Sequence, residues 1–450
     1  MTTTRELPGP RGLPLVGSML EFMRRGVFDT FDRLFRDHGD LARMRLPGGQ
    51  SVVAAAHPAA VERVLRGNRD NYYKGISYDP LRLFAGENLV TAEGAAWAWR
   101  RRLAQPAFGR ESVAGFLPAM DRCAQEMLDR WAREFAGGRS FDLQSEMVRL
   151  TMRIVGATLF GVEVGPRAEA TSAAFDVALA EIHDRGASLS LPLAVPTPGN
   201  LRLRRAIATL RGEVEAILAE ARARRGERPP SLLDALLDAR DPETGQSLTA
   251  EQLRDEVIVL HLAGHETTAT LLTWTFWALA GRPEVAERLT EEAGALGDAT
   301  PAVEALQRLA YARAVIHEVL RLYPPAWMVP RTIRAEDEIL GFRIPAGGHL
   351  MLSIYHLHRH PEFWEAPTEL RPERFLGEAS ERHKYAYLPF SLGPRTCIGN
   401  VFSLFESSLV LARIVRRFAV EVEPGFTPTL AASTVLRPAN GLRVRLRPRA

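Results

Sequence analysis

The stretch FSLGPRTCIG, residues 390–399, decides how this chain is interpreted. It holds Cys397, one of only two cysteines in 450 residues, between Gly393, Arg395 and Gly399. Glycines on both sides allow another group to approach the backbone closely. A thiolate on such a loop, with backbone amides directed at its sulfur, is a soft ligand for iron. The competing interpretation is a buried structural cysteine that precedes a helix.

The spacing makes the first interpretation the stronger one. Read as F-x-x-G-x-R-x-C-x-G, the motif fixes five positions, and chance would produce it at roughly one start in a few million. A metal-bound cysteine needs partner residues elsewhere in the chain.

Composition sets the outer limits. The chain is 46% hydrophobic and 25% charged, as in ordinary globular proteins, and its net charge of +3 is too small to indicate nucleic-acid binding. Two distant cysteines give no disulfide framework and favour a reducing compartment. The N-terminus lacks a signal segment, so we expect a cytoplasmic protein. Length alone allows two or three domains, but no composition shift marks a linker.

The longest largely apolar run, residues 257–280, predicts a buried helix. It is long enough to cross a membrane, but His261, His265 and Glu266 would be costly in lipid, so no transmembrane anchor is expected. Thr249 begins a capping box at its start. Its middle reads AGHETT, where Gly264 and two threonines weaken the helix, which indicates a functional reason.

Glu266 beside Thr267 is an acid next to an alcohol, a pairing suited to proton transfer. Threonine can instead bond the carbonyl one turn back and bend the helix, which is the structural alternative. The two histidines form H-x-x-x-H-E rather than the H-E-x-x-H pattern of zinc enzymes, so zinc is disfavoured.

Three other stretches contribute. Trp97 and Arg101 lie one turn apart on a predicted helix. Glu318 and Arg321 are three apart among apolar neighbours, which favours a buried ion pair over an exposed one. The apolar, proline-broken segment 184–200 is predicted to be a loop that serves as a lid, a membrane contact or an entrance.

Together FSLGPRTCIG, AGHETT, EVLR at 318–321 and PERF at 372–375 resemble the cytochrome P-450 family of haem-thiolate monooxygenases, as does the proline-rich segment within residues 1–17. The resemblance implies a single domain over residues 1–450, mainly α with a small β region. It implies haem b, iron protoporphyrin IX, with Cys397 as the axial thiolate ligand of the iron. The other residues implied to bind the cofactor are Phe390 near the sulfur, Gly399, the propionate-binding Trp97, Arg101, Arg331 and Arg395, and Ala263 and Gly264, which leave room for dioxygen.

The same resemblance assigns roles away from the cofactor. Thr267 and Glu266 are expected to deliver protons during oxygen activation. A buried structural triad is expected of Glu318, Arg321 and Arg374. The substrate pocket is expected to be apolar and to include Phe84, Val259, Leu262, Ala263, Trp327, Met328 and Val435.

The implied reaction inserts one oxygen atom of O2 into a C–H bond of a hydrophobic molecule, by hydroxylation or epoxidation. A terpenoid is the favoured substrate and a fatty acid the alternative. A peroxide-driven peroxygenase and a haem protein without turnover are disfavoured by the intact Glu266–Thr267 pair. Electrons are expected ultimately from NAD(P)H through a reductase and a separate ferredoxin or flavodoxin that meets basic residues around Arg100 and Arg102. Neither nucleic acid nor integral membrane association is expected.

Overall fold

Helices make up most of the structure, a computed structural model that describes residues 4–163, 168–187, 191–377 and 383–449. The helices in these ranges are α1 (Met19–His38), α2 (Pro58–Glu62), α3 (Asp79–Ala85), α4 (Gly94–Ala104), α5 (Arg110–Gly115), α6 (Leu117–Glu134), α7 (Leu143–Val155), α8 (Ala168–Ala187), α9 (Pro198–Ala223), α10 (Leu232–Asp238), α11 (Ala250–Leu279), α12 (Pro283–Gly294), α13 (Val303–Arg308), α14 (Ala310–Leu322), α15 (Ile354–Leu357) and α16 (Asn400–Arg417). The mainly helical fold class predicted from the sequence is confirmed.

The strands are short and form small sheets beside the helices. They are β1 (Leu41–Arg45), β2 (Ser51–Ala55), β3 (Tyr72–Tyr73), β4 (Phe141–Asp142), β5 (Met328–Ile333), β6 (Asp337–Ile339), β7 (Phe342–Ile344), β8 (His349–Ser353), β9 (Phe418–Val422), β10 (Leu430–Ala432), β11 (Leu436–Pro438) and β12 (Arg443–Pro448). The largest sheet has the order β1-β2-β8-β5-β3, in which β2 and β8 are parallel and the other neighbours antiparallel.

The long helix α11 passes through the helical core and packs against α7, α9, α14 and α16. The predicted capping box is present: Thr249 Oγ1 accepts from the amide of Gln252, whose Oε1 accepts from the amide of Thr249. Most of its side chains are buried around the whole circumference, as expected of a helix without an apolar stripe. Among the described helices, none is long and apolar enough to cross a membrane.

The sequence predicted several boundaries closely and missed internal breaks. The sequence predicts strands over 41–45 and 51–55 and a helix over 400–417, and β1, β2 and α16 have these bounds. Its helical pattern predicts one helix over 111–135, which is divided into α5 and α6 near Pro118, because proline is favoured in a first turn and interrupts the preceding one. Glycines and Pro80 predict irregular structure over 71–91, but this segment contains α3 with Pro80 in its first turn. Of the predicted loop 184–200, helices α8 and α9 take both ends, and residues 188–190 lie outside the described residues.

Candidate active site

The cysteine loop is held tightly before α16 begins. The amide of Cys397 donates to the carbonyl of Phe390 at 2.9 Å, and Thr396 Oγ1 donates to the carbonyl of Gly393 at 2.7 Å. Gly393 has φ +73°, and a Cβ there would lie 2.7 Å from the carbonyl oxygen of Leu65. Only glycine meets both conditions, so this position in the motif has a steric reason.

Cys397 retains solvent-accessible surface on this loop. The surrounding protein is nevertheless dense enough that burial raises the pKa of the thiol. The backbone amide of Gly399 and the positive charge of Arg101 act in the opposite direction on that pKa. Arg101 is fixed there because its Nη1 donates to the carbonyl of Thr396 at 2.9 Å. An amide and a guanidinium beside a sulfur are the usual means of favouring a thiolate.

The middle of α11 supplies an accessible strip in an otherwise buried helix. Ala263 is exposed and Thr267 half-buried, whereas most neighbouring residues are buried. Thr267 Oγ1 donates to the carbonyl of Ala263 at 2.8 Å, the bond one turn back that its sequence position allows. Thr268 Oγ1 lies 3.3 Å from Ser403 Oγ, so this part of α11 adjoins the first turn of α16 that follows the cysteine loop.

Gly264 has a packing role that the sequence did not reveal. A Cβ at this position would lie 2.8 Å from Val155 Cγ2, a contact too short for real side chains. Its missing side chain therefore lets α7 approach α11 closely. This packing against α7 is sufficient to explain a glycine at position 264, whether or not it also leaves space for dioxygen.

Glu266 is a buried acid without a hydrogen-bond donor in the described part of the chain. Its residue is 8% exposed, and burial raises its pKa to about 7, while Arg437 lowers it and Asp176 raises it. A cavity of about 490 Å³ borders Glu266, His265, Asp176 and Arg437. Arg437 Nη1 and Asp176 Oδ1 form a partly exposed ion pair of 3.0 Å. The carboxyl of Glu266 thus lies between the core and a solvent-connected cavity.

The two histidines of α11 belong to the core. Burial lowers the pKa of His261 to about 3 and that of His265 to about 4, so both are neutral at ordinary pH. His265 Nδ1 donates to the carbonyl of His261 at 2.6 Å, and both rings pack against Phe175. Neutral rings among aromatic side chains are typical of structural histidines.

A group of cations lies beside the cysteine loop. Arg395 donates to the carbonyl of Ala92 at 2.9 Å, lies 3.1 Å from Glu93, and stacks its guanidinium 4.0 Å over the ring of Trp97. Arg331 is buried. A cavity of about 810 Å³ is lined by both arginines, Trp97 and Lys74.

Lys74 is a member of this group that sequence reasoning missed. Its side chain is buried, and burial, followed by the charges of Arg395 and Arg331, holds its pKa well below the usual range. Its ammonium donates to the carbonyl of Val90. A signal was present: the chain has only two lysines, and this one lies among the aromatic residues of segment 71–91.

The residues present fit a haem group. The charge of Arg331 lowers the pKa of both Lys74 and Arg395, and the carboxylate of Glu93 acts in the opposite direction on both. Grouped cations in a buried setting call for further anions, and the two propionates of a haem would supply them. The accessible thiol of Cys397 and the accessible strip of α11 would then border the iron. Phe390 is half-buried and packs against the main core.

The predicted ion pair on α14 is fully buried, and its polar groups have hydrogen-bond partners. Arg321 Nε and Nη2 donate to Glu318 at 2.8 and 2.7 Å, and both side chains have 0% exposure. Arg374 Nε lies 3.4 Å from Glu318. Arg321 also donates to three backbone carbonyls, those of His358, Pro367 and Glu369. These bonds join α14 to the segment that leads toward the cysteine loop.

One expectation, a docking role for Arg100, needs correction. Arg100 is not part of a docking surface, because it is buried and lies 3.2 Å from the buried Glu256, while Arg102 pairs with Asp241 and Glu243.

Of the residues expected to line the substrate pocket, Ala263 and Met328 retain accessible surface. The others are buried, and the indole of Trp327 donates to the carbonyl of Ser433. The side chains packed in the core are Phe84, Val259, Leu262, Trp327 and Val435.

Comparison with known proteins agrees with this arrangement. The family model for cytochrome P-450 matches residues 7–446. The chain is 36% identical over 429 residues to cyclooctat-9-en-7-ol 5-monooxygenase of Streptomyces melanosporofaciens, covering 94% of this chain and 91% of that protein. It is 33% identical over 444 residues to pentalenene oxygenase of Streptomyces avermitilis, covering 97% and 96%. It is 28% identical over 450 residues to the Arabidopsis thaliana protein LUTEIN DEFICIENT 5, covering 95% and 75%.

The chain therefore belongs to the cytochrome P-450 family. It is a cytochrome P-450 monooxygenase, and the cofactor of this family is haem. As a member of the family it uses dioxygen, redox partners and a hydrophobic substrate.

Proposed function

We propose that this enzyme hydroxylates a C–H bond of a terpenoid, with Cys397 as the thiolate ligand of its haem iron. The observation that carries the assignment is the exposed Cys397 on the loop before α16, a helix whose first turn contacts the middle of α11 through Ser403 and Thr268. Residues 1–450 would form one domain around this site. The names of two relatives, a cyclooctatenol monooxygenase and a pentalenene oxygenase, support the substrate class.

Two groups of residues would hold the cofactor. Arg331 and Arg395 would bind the propionates as cations and Lys74 as a hydrogen-bond donor, while the ring of Trp97 stacks against the guanidinium of Arg395. Burial raises the pKa of the Cys397 thiol, whereas Arg101 and the amide of Gly399 lower it and would favour the thiolate that binds iron. When bound, the thiolate-ligated haem supplies dioxygen binding and activation.

The protein itself contributes proton transfer, through the carboxyl of Glu266 and the hydroxyl of Thr267. The carboxyl of Glu266 has a pKa of about 7 because it is buried, so it exchanges a proton near neutral pH. The cavity beneath the Arg437–Asp176 pair gives it contact with water. Thr267 Oγ1 donates to the carbonyl of Ala263, which leaves its lone pairs available to accept a hydrogen bond.

We propose that electrons come from NAD(P)H through a reductase and a ferredoxin or flavodoxin. Reconstitution of the holoenzyme with such partners should give NADPH-dependent oxygen consumption and a hydroxylated terpenoid. Binding is tested separately by titrating the oxidised enzyme with diterpenes, sesquiterpenes and fatty acids while the haem spectrum is recorded. A spectral response to fatty acids alone, or to polar aromatics alone, would overturn the terpenoid assignment.

A further inference from the structure

Exposed apolar side chains are concentrated near the start of the chain, outside the active site. The largest exposure of any large hydrophobic residue in the described ranges is that of Leu15, at 94%. Further exposed apolar side chains lie immediately before and after Leu15 and on the first two turns of α1. We name this surface the N-terminal patch, which consists of Leu13, Leu15, Val16, Leu20 and Met23.

Leu15 is presented by a rigid turn. Leu13 and Gly17 exchange two backbone hydrogen bonds of 2.9 Å, which places Leu15 at the tip with φ +65°. Leucine rarely adopts a positive φ, so an exposed leucine in this conformation is unusual on two counts. Strain of this kind persists where the surroundings impose it and is concentrated at functional places.

The turn is fastened to the sheet and cannot readily fold its tip inward. Gly17 has φ +57°, and a Cβ there would lie 2.2 Å from the carbonyl oxygen of Arg45 on β1. The amide of Ser18 donates to that same carbonyl at 2.8 Å. The close approach of the turn to β1 therefore holds the side chain of Leu15 outward.

The charge around the patch that has no ion-pair partner is positive, because Glu21 of α1 lies 4.0 Å from Arg25 and 3.8 Å from Arg33. Arg11, Arg24 and Arg45 are exposed and form no ion pair with any residue that the structure describes. Behind the turn lies a groove of about 910 Å³ whose charged lining residues are all arginines, Arg11, Arg43 and Arg45. Arg43 is also 3.7 Å from Glu6. An outward apolar tip flanked by cations is complementary to a lipid surface, where acyl chains lie beneath anionic headgroups.

We propose that the N-terminal patch docks this protein on a membrane surface that contains anionic lipid. Leu15 and its apolar neighbours enter the headgroup boundary, and the arginines of the groove contact lipid phosphates. A second copy of the chain fits less well, because its own arginines would face the same arginines. The contact is peripheral, and it does not depend on the reaction that the haem site performs.

The test is co-sedimentation of the full-length holoenzyme with vesicles. Equimolar phosphatidylcholine and phosphatidylglycerol vesicles should bind the wild type, and pure phosphatidylcholine vesicles should bind it much more weakly. Leu15→Asn should weaken binding to the mixed vesicles by about tenfold, as expected for loss of one inserted leucine. Asparagine tolerates a positive φ, so this variant retains the turn.

The matched control is Leu340→Asn. Leu340 also has a positive φ of +52° and is 39% exposed, but it lies in the hairpin between β6 and β7, outside the patch. Its substitution should leave vesicle binding unchanged. The proposal is overturned if the wild type stays in solution, if Leu15→Asn sediments like the wild type, or if both variants lose binding equally. Equal binding to neutral vesicles, or a dimer in vesicle-free solution that depends on Leu15, would overturn it as well.

Discussion

Two glutamates on core helices, Glu318 of α14 and Glu266 of α11, are similarly buried and have opposite surroundings. Glu318 accepts two hydrogen bonds from Arg321 and one from the amide of Arg371 at 2.9 Å. Glu266 accepts none from the residues that the structure describes, and burial raises its pKa to about 7. Burial alone therefore does not define the role of a carboxyl. Its partners determine whether it is a fixed ion in the fold or an acid that exchanges protons.

The largest expected effect concerns Glu318, the glutamate whose carboxylate accepts several hydrogen bonds. Glu318→Gln should lower the free energy of unfolding by about 3–5 kcal/mol, because it leaves the guanidinium of Arg321 buried without its counter-ion. Urea unfolding of the holoenzyme measures this change. The matched control is Glu373→Gln, which removes an exposed pair with Arg288 at 3.0 Å and should change stability by less than about 1 kcal/mol. Similar losses in both variants would contradict the account.

For Glu266, the raised pKa predicts a free energy of unfolding that depends on pH. The pKa of Glu266 rises from 4.5 to about 7 on folding, so its favourable contribution is intact below pH 4.5 and is lost as pH rises through 7. Glu266→Gln should therefore match the wild type near pH 4 and exceed its stability by up to about 3 kcal/mol at pH 8. Unfolding at both pH values measures the difference, with the exposed Glu291→Gln as the control. A gap that is the same at both pH values would remove Glu266 as the titrating group.

Thr267 tests the proton route during turnover. Thr267→Ala should slow the proton-dependent step by about 10²-fold and divert electrons from product to hydrogen peroxide. Thr267→Ser keeps the hydroxyl and should keep most of the coupling. The measurement is product formed per NADPH consumed, with peroxide assayed in parallel. Equal coupling in Thr267→Ala and the wild type would exclude this hydroxyl from the reaction.

The smallest expected effects have opposite signs. Arg437 lowers the pKa of Glu266 and Asp176 raises it. Arg437→Leu should therefore move that pKa upward, and Asp176→Asn should move it downward. The carbonyl band of protonated Glu266, isolated by infrared difference against Glu266→Gln, reports the pKa without turnover. Shifts in the same direction would show that the two substitutions act only by disturbing the local fold.

The sequence predicted elements whose cause is local. The capping box at Thr249 and the helix that begins after Gly399 follow from neighbouring residues, and both are present. The burial of Glu318 with Arg321 was indicated by the apolar residues beside them. What the sequence could not supply are contacts between distant segments. Arg100 was assigned to the surface because its partner Glu256 is 156 positions away.

The same limit applies to the site. Lys74 joins Arg331 and Arg395 only through the fold, and the packing reason for Gly264 depends on Val155 of another helix. The contact between Trp327 and Phe28 of α1, which are almost 300 positions apart, is likewise a product of the fold. Bulky apolar residues suit a pocket and a core equally well, so their type does not distinguish the two environments.

The central claim is that Cys397 provides the thiolate ligand of the haem iron. The most direct measurement is the absorption spectrum of the reduced holoenzyme with carbon monoxide, recorded for the wild type and for Cys397→Ala. Cys123→Ala is the matched control, because it removes the other cysteine of the chain, which is buried in the core. The account predicts a strongly red-shifted Soret band in the wild type and in Cys123→Ala, and its loss in Cys397→Ala. Persistence of that band in Cys397→Ala, or its absence from the wild type, would contradict the claim.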